Sequence, residues 1–349
     1  MTSDPSLLED LLRLTADAGL IADVAPDPTA ARSWFDRAPL VLIGIDVAES
    51  CVRAGLRRRT DVVLVGRAPD IGSPPDWPVA ERLGVAHVAA LPAAEPWLVE
   101  QLVRIDMDAT GDIVAVLGGR GGAGASVLAG ALAVTGARRG MATMLIDADP
   151  LGGGVDLVLG WEHRDGLRWP SLSGVGGRVH PSALVDALPG RADLVVLSWD
   201  RGEPTTATPD AMIAALDAGR RGRDLVVIDL PRRLDDAATL ALTAADRAFL
   251  VVPAELRACA AAARVAATAL PHCPSLQVVV RQPAPGGLSA AEVAEAVRLP
   301  LAGSFRLESS ISAALERGEP PASSGKGSLA RLCDRLLADR DERDARVAA

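Results

Sequence analysis

The chain has 349 residues, 49% of them apolar and 3% aromatic with no tyrosine, and its 45 acidic residues outweigh 36 basic ones for a formal charge of −9. That length exceeds one typical domain, and that balance excludes a protein drawn to nucleic acid by its overall charge. No run approaches the roughly 18 apolar residues of a membrane span, Met1-Thr-Ser-Asp is not a signal peptide, and the four cysteines show no C-x-x-C pair, so a soluble cytoplasmic protein with idle thiols is expected.

The first apolar runs, LVLIGI (40–45) and DVVLVG (61–66), are short, rich in β-branched residues and bounded by turn residues, as buried parallel strands are. Helical patterns surround them: LLEDLLRL near the start, AARSWFDR, VAERLG, and PWLVEQLVRI at 96–105. Alternating strands and helices predict a small α/β unit over 1–108, and DMDATG (106–111) breaks the pattern as a domain boundary.

A second α/β unit is expected over 111–325. Strand 113–117 leads into GGRGGAGASVLAG (118–130), a glycine-rich turn opening a helix that runs to about Arg139 and closes at Gly140. Further strands are read at 142–147, 194–198, 224–231, 248–253 and 276–281, with helices between, which together predict a doubly wound, mostly parallel sheet whose ligand lies at the carboxyl ends of the strands. PAPGG (283–287) and PPASSGKG (320–327) are loops by composition. Over 326–349 an amphipathic helix, about 328–340, precedes a charged tail, DRDERDARVAA, expected to fray.

The glycine loop carries the chemistry. Gly119, Gly124 and Ser126 stand where G-x-x-x-x-G-K-[ST] requires them, but Ala125 occupies the lysine position. With IDADPLGGGVDL after the next strand, VVIDLP at 226–231 and LAGSFRLESSISAALERGEPP near the end, the second unit resembles the MinD/ParA family of P-loop ATPases, most closely its CpaE-like branch. The family's loop reads K-G-G-x-G-K-[ST]; here the register is Arg120-Gly121-Gly122-Ala123-Gly124-Ala125-Ser126, so both lysines are replaced.

The resemblance implies ATP with Mg²⁺ as cofactor, cradled by Gly119 to Ser126 and Asp147, with Ser126 and Asp229 on the metal and Asp149 orienting the attacking water. Without the lysines the nucleotide is expected to be held weakly or not at all. Arg120 takes the place of a lysine that crosses a homodimer interface, and two readings stand for it: a finger acting in trans, or a solvent-facing side chain beside a turn. Asp149 and Asp229 also have a structural reading, as strand-end carboxylates that cap the following turn.

ERLGVAHVAALPAAEPWLVEQL (81–102) is similar to the last strand and helix of a response-regulator receiver domain, which CpaE-like proteins carry in front of the ATPase. Asp46 lies near the phosphoacceptor place, yet Leu91 stands where a lysine precedes Pro92, and no first strand precedes LLEDLLRL. A pseudo-receiver used for docking is the expectation. The missing strand is also what a start upstream of Met1 would leave.

The implied role is septum site determination through cell-division partners, with recruitment to the septum or membrane by them. The alternative is a slow ATPase that positions a pilus or secretion apparatus. DNA partition is disfavoured by the acidic balance, and membrane insertion by the acidic tail. Tyrosine autokinases and iron-protein reductases are set aside because this chain lacks tyrosine and paired cysteines. Trp161, Trp169 and Trp199 are read either as a docking surface or as anchors of a loop on the sheet, and His163 as a surface residue.

Overall fold

The structure is a computed structural model that describes residues 1–18, 20, 22–35, 38–68, 77–108, 111–173, 181–202, 205–283, 285–306 and 309–347. Residues 109–110 of the expected boundary, 284 of the loop 283–287, 307–308 of the late segment and 348–349 of the tail lie outside the described residues. The chain divides into two compact units, Met1–Ala109 and Thr110–Ala349.

The first unit holds a parallel three-stranded sheet, β1 (Val41–Gly44), β2 (Val62–Arg67) and β3 (His87–Leu91), in that spatial order. Alternation along β2 feeds two layers. Val62 and Leu64 pack with Ile43, Val47 and Cys51, whereas Val63 and Val65 pack with Leu7, Leu11, Leu14, Leu98 and Leu102. The predicted helices appear as Pro5–Asp17, Pro28–Phe35, Trp77–Leu83 and Glu95–Asp108, joined by Ile45–Arg53 directly after β1. The first starts where Asp4 accepts from the Ser6 N–H at 2.9 Å and proline occupies the first turn. Beside β1 stands Met1, whose ammonium donates to the Leu42 carbonyl and whose carbonyl accepts from the Gly44 N–H, both at 2.7 Å.

In the second unit, eight strands form one sheet: β4 (Asp112–Gly118), β5 (Thr143–Asp147), β6 (Gly190–Arg191), β7 (Leu194–Leu197), β8 (Leu225–Leu230), β9 (Arg247–Pro253), β10 (Leu276–Gln282) and β11 (Leu301–Arg306). Their order is β11-β10-β9-β4-β8-β5-β7-β6, and every pairing is parallel except the short hairpin β6–β7. Such a sheet needs cover on both faces. Val114 and Val116 of β4 face a layer with Leu128 and Leu132 of helix Ala125–Arg138 and Leu329, Leu332 and Leu336 of helix Gly327–Val347. Ile113, Ala115 and Leu117 face the other layer, with Met212, Ala241 and Ala262 from helices Pro209–Gly222, Asp236–Ala244 and Leu256–Ala269.

Gly140 takes the expected place after helix Ala125–Arg138, with φ +80° and its N–H on the Ala137 carbonyl. The tail departs from expectation: the last helix runs unbroken through Gly327–Val347. After Gly327 no glycine or proline interrupts it.

Candidate functional site

The glycine loop lies at the carboxyl end of β4, in the middle of the sheet. Gly119 donates its N–H to the Val251 carbonyl of β9, and a Cβ there would come within 2.7 Å of the Ala262 Cβ. Only glycine lets the loop root so close to helix Leu256–Ala269. Gly122 (φ +67°) and Gly124 (φ +98°) supply two left-handed turns that bring the backbone round into the helix beginning at Ala125. No side chain caps that helix at Gly124. Its first-turn N–H groups, from Ala125 to Val127, therefore remain donors for an anion, with the helix dipole behind them.

Three carboxylates gather beside the loop. Asp147 and Asp229 are register partners at the ends of β5 and β8. Asp229 accepts a hydrogen bond from Ser126, but burial, aided by the negative charge of Asp147, holds its pKa well above the ordinary carboxylate range. Asp147 accepts from the N–H of Val155 (2.9 Å), the N–H of Asp149 (3.1 Å) and the hydroxyl of Ser198 (3.1 Å). Burial outweighs these bonds and pushes it up to about 6. Asp149 is half-buried, and its carboxylate accepts from the Leu151 N–H at 3.1 Å, so it shapes its own turn.

This donor set fits a divalent cation. The Ser126 hydroxyl and the Asp229 carboxylate are hard oxygen ligands, and a cation would relieve the cost of two adjacent buried carboxylates. Among the described residues no three His, Cys, Asp or Glu side chains converge as ligands, so such an ion would rely on water and phosphate oxygens as Mg²⁺ does.

Of the residues expected at the site, Gly119, Gly121, Gly122, Ala123, Gly124, Ala125 and Ser126 form the loop and its helix start, with Asp147, Asp149 and Asp229 alongside. Arg120 is half-buried and paired within its own chain. Its Nη2 grips both carboxylate oxygens of Glu255, at 2.8 and 3.0 Å, and its Nη1 donates to the Gly121 carbonyl at 3.1 Å. Sequence reasoning missed Glu255, Ser198 and Arg281, whose Nη1 reaches the Gly122 carbonyl at 2.8 Å. A basic residue at the carboxyl end of a parallel strand was the available signal for Arg281.

The tryptophans are anchors. Trp161, Trp169 and Trp199 are all buried, Trp169 completely, with its indole N–H on the Asp147 carbonyl at 2.6 Å and its ring stacked on Trp199 at 5.6 Å. His163 lies on the surface, its side chain 95% exposed. In the first unit, Asp46 stands in the first turn of the helix after β1 and accepts from the Thr2 hydroxyl (2.9 Å), the Ser3 N–H (2.7 Å) and the Ser3 hydroxyl (2.6 Å). Partial burial works against ionisation, but these bonds prevail and set its pKa below the usual value.

Comparison with known proteins agrees with this architecture. Residues 1–112 match the family model described as Rv3660c-like, CheY-like N-terminal domain. The uncharacterised protein Rv3660c of Mycobacterium tuberculosis is 42% identical over 326 residues, 91% of each chain. Among solved structures, the ParA family ATPase of Chlorobium tepidum superposes with TM-score 0.57 and 14% identity, over 66% of this chain and 98% of that one. The MinC:MinD cell-division complex of Aquifex aeolicus gives 0.54 and 23% over 65% and 96%. The septum site-determining protein MinD of Pyrococcus horikoshii, complexed with Mg-ADP, gives 0.52 and 17% over 67% and 97%. At these identities the structures speak for the fold, while the mycobacterial relative matches nearly end to end. The chain therefore belongs to the Rv3660c-like family: a CheY-like N-terminal domain precedes a domain with the fold of the MinD and ParA ATPases.

Proposed function

We propose that this protein is a spatial regulator of cell division, a septum site-determining protein of the MinD/CpaE-like type that acts through protein partners. Its loop 119–126 binds a Mg²⁺-nucleotide weakly and hydrolyses it poorly or not at all. One observation carries the reading: the loop keeps its backbone cradle and its Ser126–Asp229 pair, but Ala125 offers no cation and Arg120 is held by Glu255. Phosphoryl transfer depends on positioning and charge neutralisation, so a cradle without its lysine favours holding over turnover.

Ser126 and Asp229 would hold Mg²⁺, which would supply charge neutralisation at the phosphates. The chain's own part is to aim N–H donors at the phosphates and to keep Asp147 and Asp149 beside them. The MinD relatives, one carrying Mg-ADP and one joined to MinC, support a nucleotide and a protein partner as the two things to seek.

The test is ATP binding and steady-state hydrolysis by the purified full chain beside Ala125→Lys and Asp149→Ala. Hydrolysis by the native chain is expected about 100-fold below that of a lysine-bearing loop. A native turnover that disappears in Asp149→Ala would overturn the regulator without hydrolysis and favour the slow ATPase. In cells, raised levels of the protein should lengthen cells by delaying septation. Normal length on deletion, with pili or secretion lost, would point to the alternative pathway.

A further inference from the structure

We propose that Arg281, on the strand two places from the glycine loop's own, is the side-chain cation that meets nucleotide phosphate at this site in place of the lysine missing at position 125. The inference rests on the reading that the loop holds a nucleotide, and it names the residue that makes such binding workable.

Arg281 lies near the carboxyl end of β10, the side on which a doubly wound sheet takes its ligand. Its Nη1 donates to the Gly122 carbonyl at 2.8 Å, and its Cδ would stand 3.7 Å from a Cβ built on Gly124, next to the Phe305 ring at 3.9 Å. The stem thus runs along the two left-handed glycines, and the guanidinium sits at the mouth of the helix that starts at Ala125.

Charge separates it from Arg120. Glu255 holds Arg120 through both carboxylate oxygens, so that cation is already matched. Arg281 is half-buried, and among the described residues its one hydrogen bond goes to a neutral carbonyl. Its hold on its proton is weakened first by burial and then by the neighbouring Arg120, with Glu255 opposing. Two guanidiniums and one carboxylate beside uncapped N–H donors leave one positive charge without a contact partner, which suits a phosphate. A side chain that merely propped the loop from outside would need a donor for Gly122 but no charge.

Isothermal titration of the full chain with Mg-ATP and with Mg-ADP tests this, using Arg281→Gln, Arg281→Lys and the native protein, with thermal melting of each without nucleotide. Arg281→Gln should bind about 10- to 100-fold more weakly, the range expected for a lost charged hydrogen bond. Arg281→Lys should stay within about fivefold of native, since a monodentate contact depends on charge more than on the planar fork. All three should melt alike without nucleotide. Arg281→Gln binding as tightly as the native chain would overturn the role of Arg281 and leave the nucleotide reading standing. Equal weakening in Gln and Lys, or a matching fall in melting temperature, would make Arg281 a strut for the loop and overturn the proposal. No binding by the native chain up to millimolar nucleotide would overturn the nucleotide reading and the proposal with it.

Discussion

At the scale of single residues, the carboxylates at the ends of β5 and β8 give the protein a pH dependence of definite sign. Burial raises both, Asp147 to about 6 and Asp229 well above the ordinary carboxylate range. In the unfolded chain both release their protons near pH 4. Their stabilising contribution is therefore complete below about pH 4 and is lost as pH climbs through the folded values. For Asp147 the loss is on the order of 3 kcal/mol. Denaturant midpoints should fall between pH 5 and pH 8, and Asp229→Asn should flatten that fall and match or exceed the native midpoint at pH 8. Parallel profiles for the two proteins would remove these carboxylates as the cause. Legibility differed among these residues for a physical reason. Ser126, Asp147 and Asp229 follow strands in a recognisable spacing, so their neighbourhood could be read from order alone. Arg281 meets the loop 159 residues away in sequence, and the pairing of Arg120 with Glu255 spans 135; contacts of that kind leave no local pattern.

At the scale of elements, the segment after Asp149 is tied down more firmly than its run of glycines suggests. It passes into helix Val155–Leu159, where fully buried Asp156 receives both terminal nitrogens of Arg201, at 2.9 and 3.0 Å. The helix ends at Gly160, φ +66°, which lies against the Gly318 carbonyl of the late segment. A methyl at Gly160 would meet backbone that cannot swing aside, in a conformation unfavourable to alanine. Gly160→Ala is accordingly expected to cost about 2–3 kcal/mol, read as a lower urea midpoint at unchanged slope. The strands were legible because apolar β-branched runs buried on both faces leave few alternatives. The two-residue strand β6 and the full length of the last helix were not: the first has too few residues for a period, and the second continues through a stretch with no apolar period to read.

At the scale of the whole molecule, two large apolar side chains stand out on the second unit's surface. Leu151, in the turn after Asp149, is 87% exposed, and Leu256, beside the Glu255 that holds Arg120, is 77% exposed. Leu151 follows β5 and Leu256 follows β9, both at the carboxyl ends of strands. A two-fold homodimer through this face is the expected assembly. In light scattering, Leu151→Glu with Leu256→Glu should give a monomer where the native chain with Mg-ATP gives a dimer, and a dimer that persists in the double variant would place the interface elsewhere. No helix among the described residues is long and apolar enough to cross a membrane.

The buried indole of Trp169 has a practical use. Its N–H is bound to the main-chain carbonyl of Asp147, and its ring lies against Trp199. A shift of Asp147 relative to Trp169 on loading of the site would alter that bond and that stacking. The protein thus carries its own optical gauge. Changes in intrinsic emission and near-ultraviolet dichroism, with Trp169→Phe as the control, would register occupancy in an unlabelled chain, including occupancy that no turnover assay could detect.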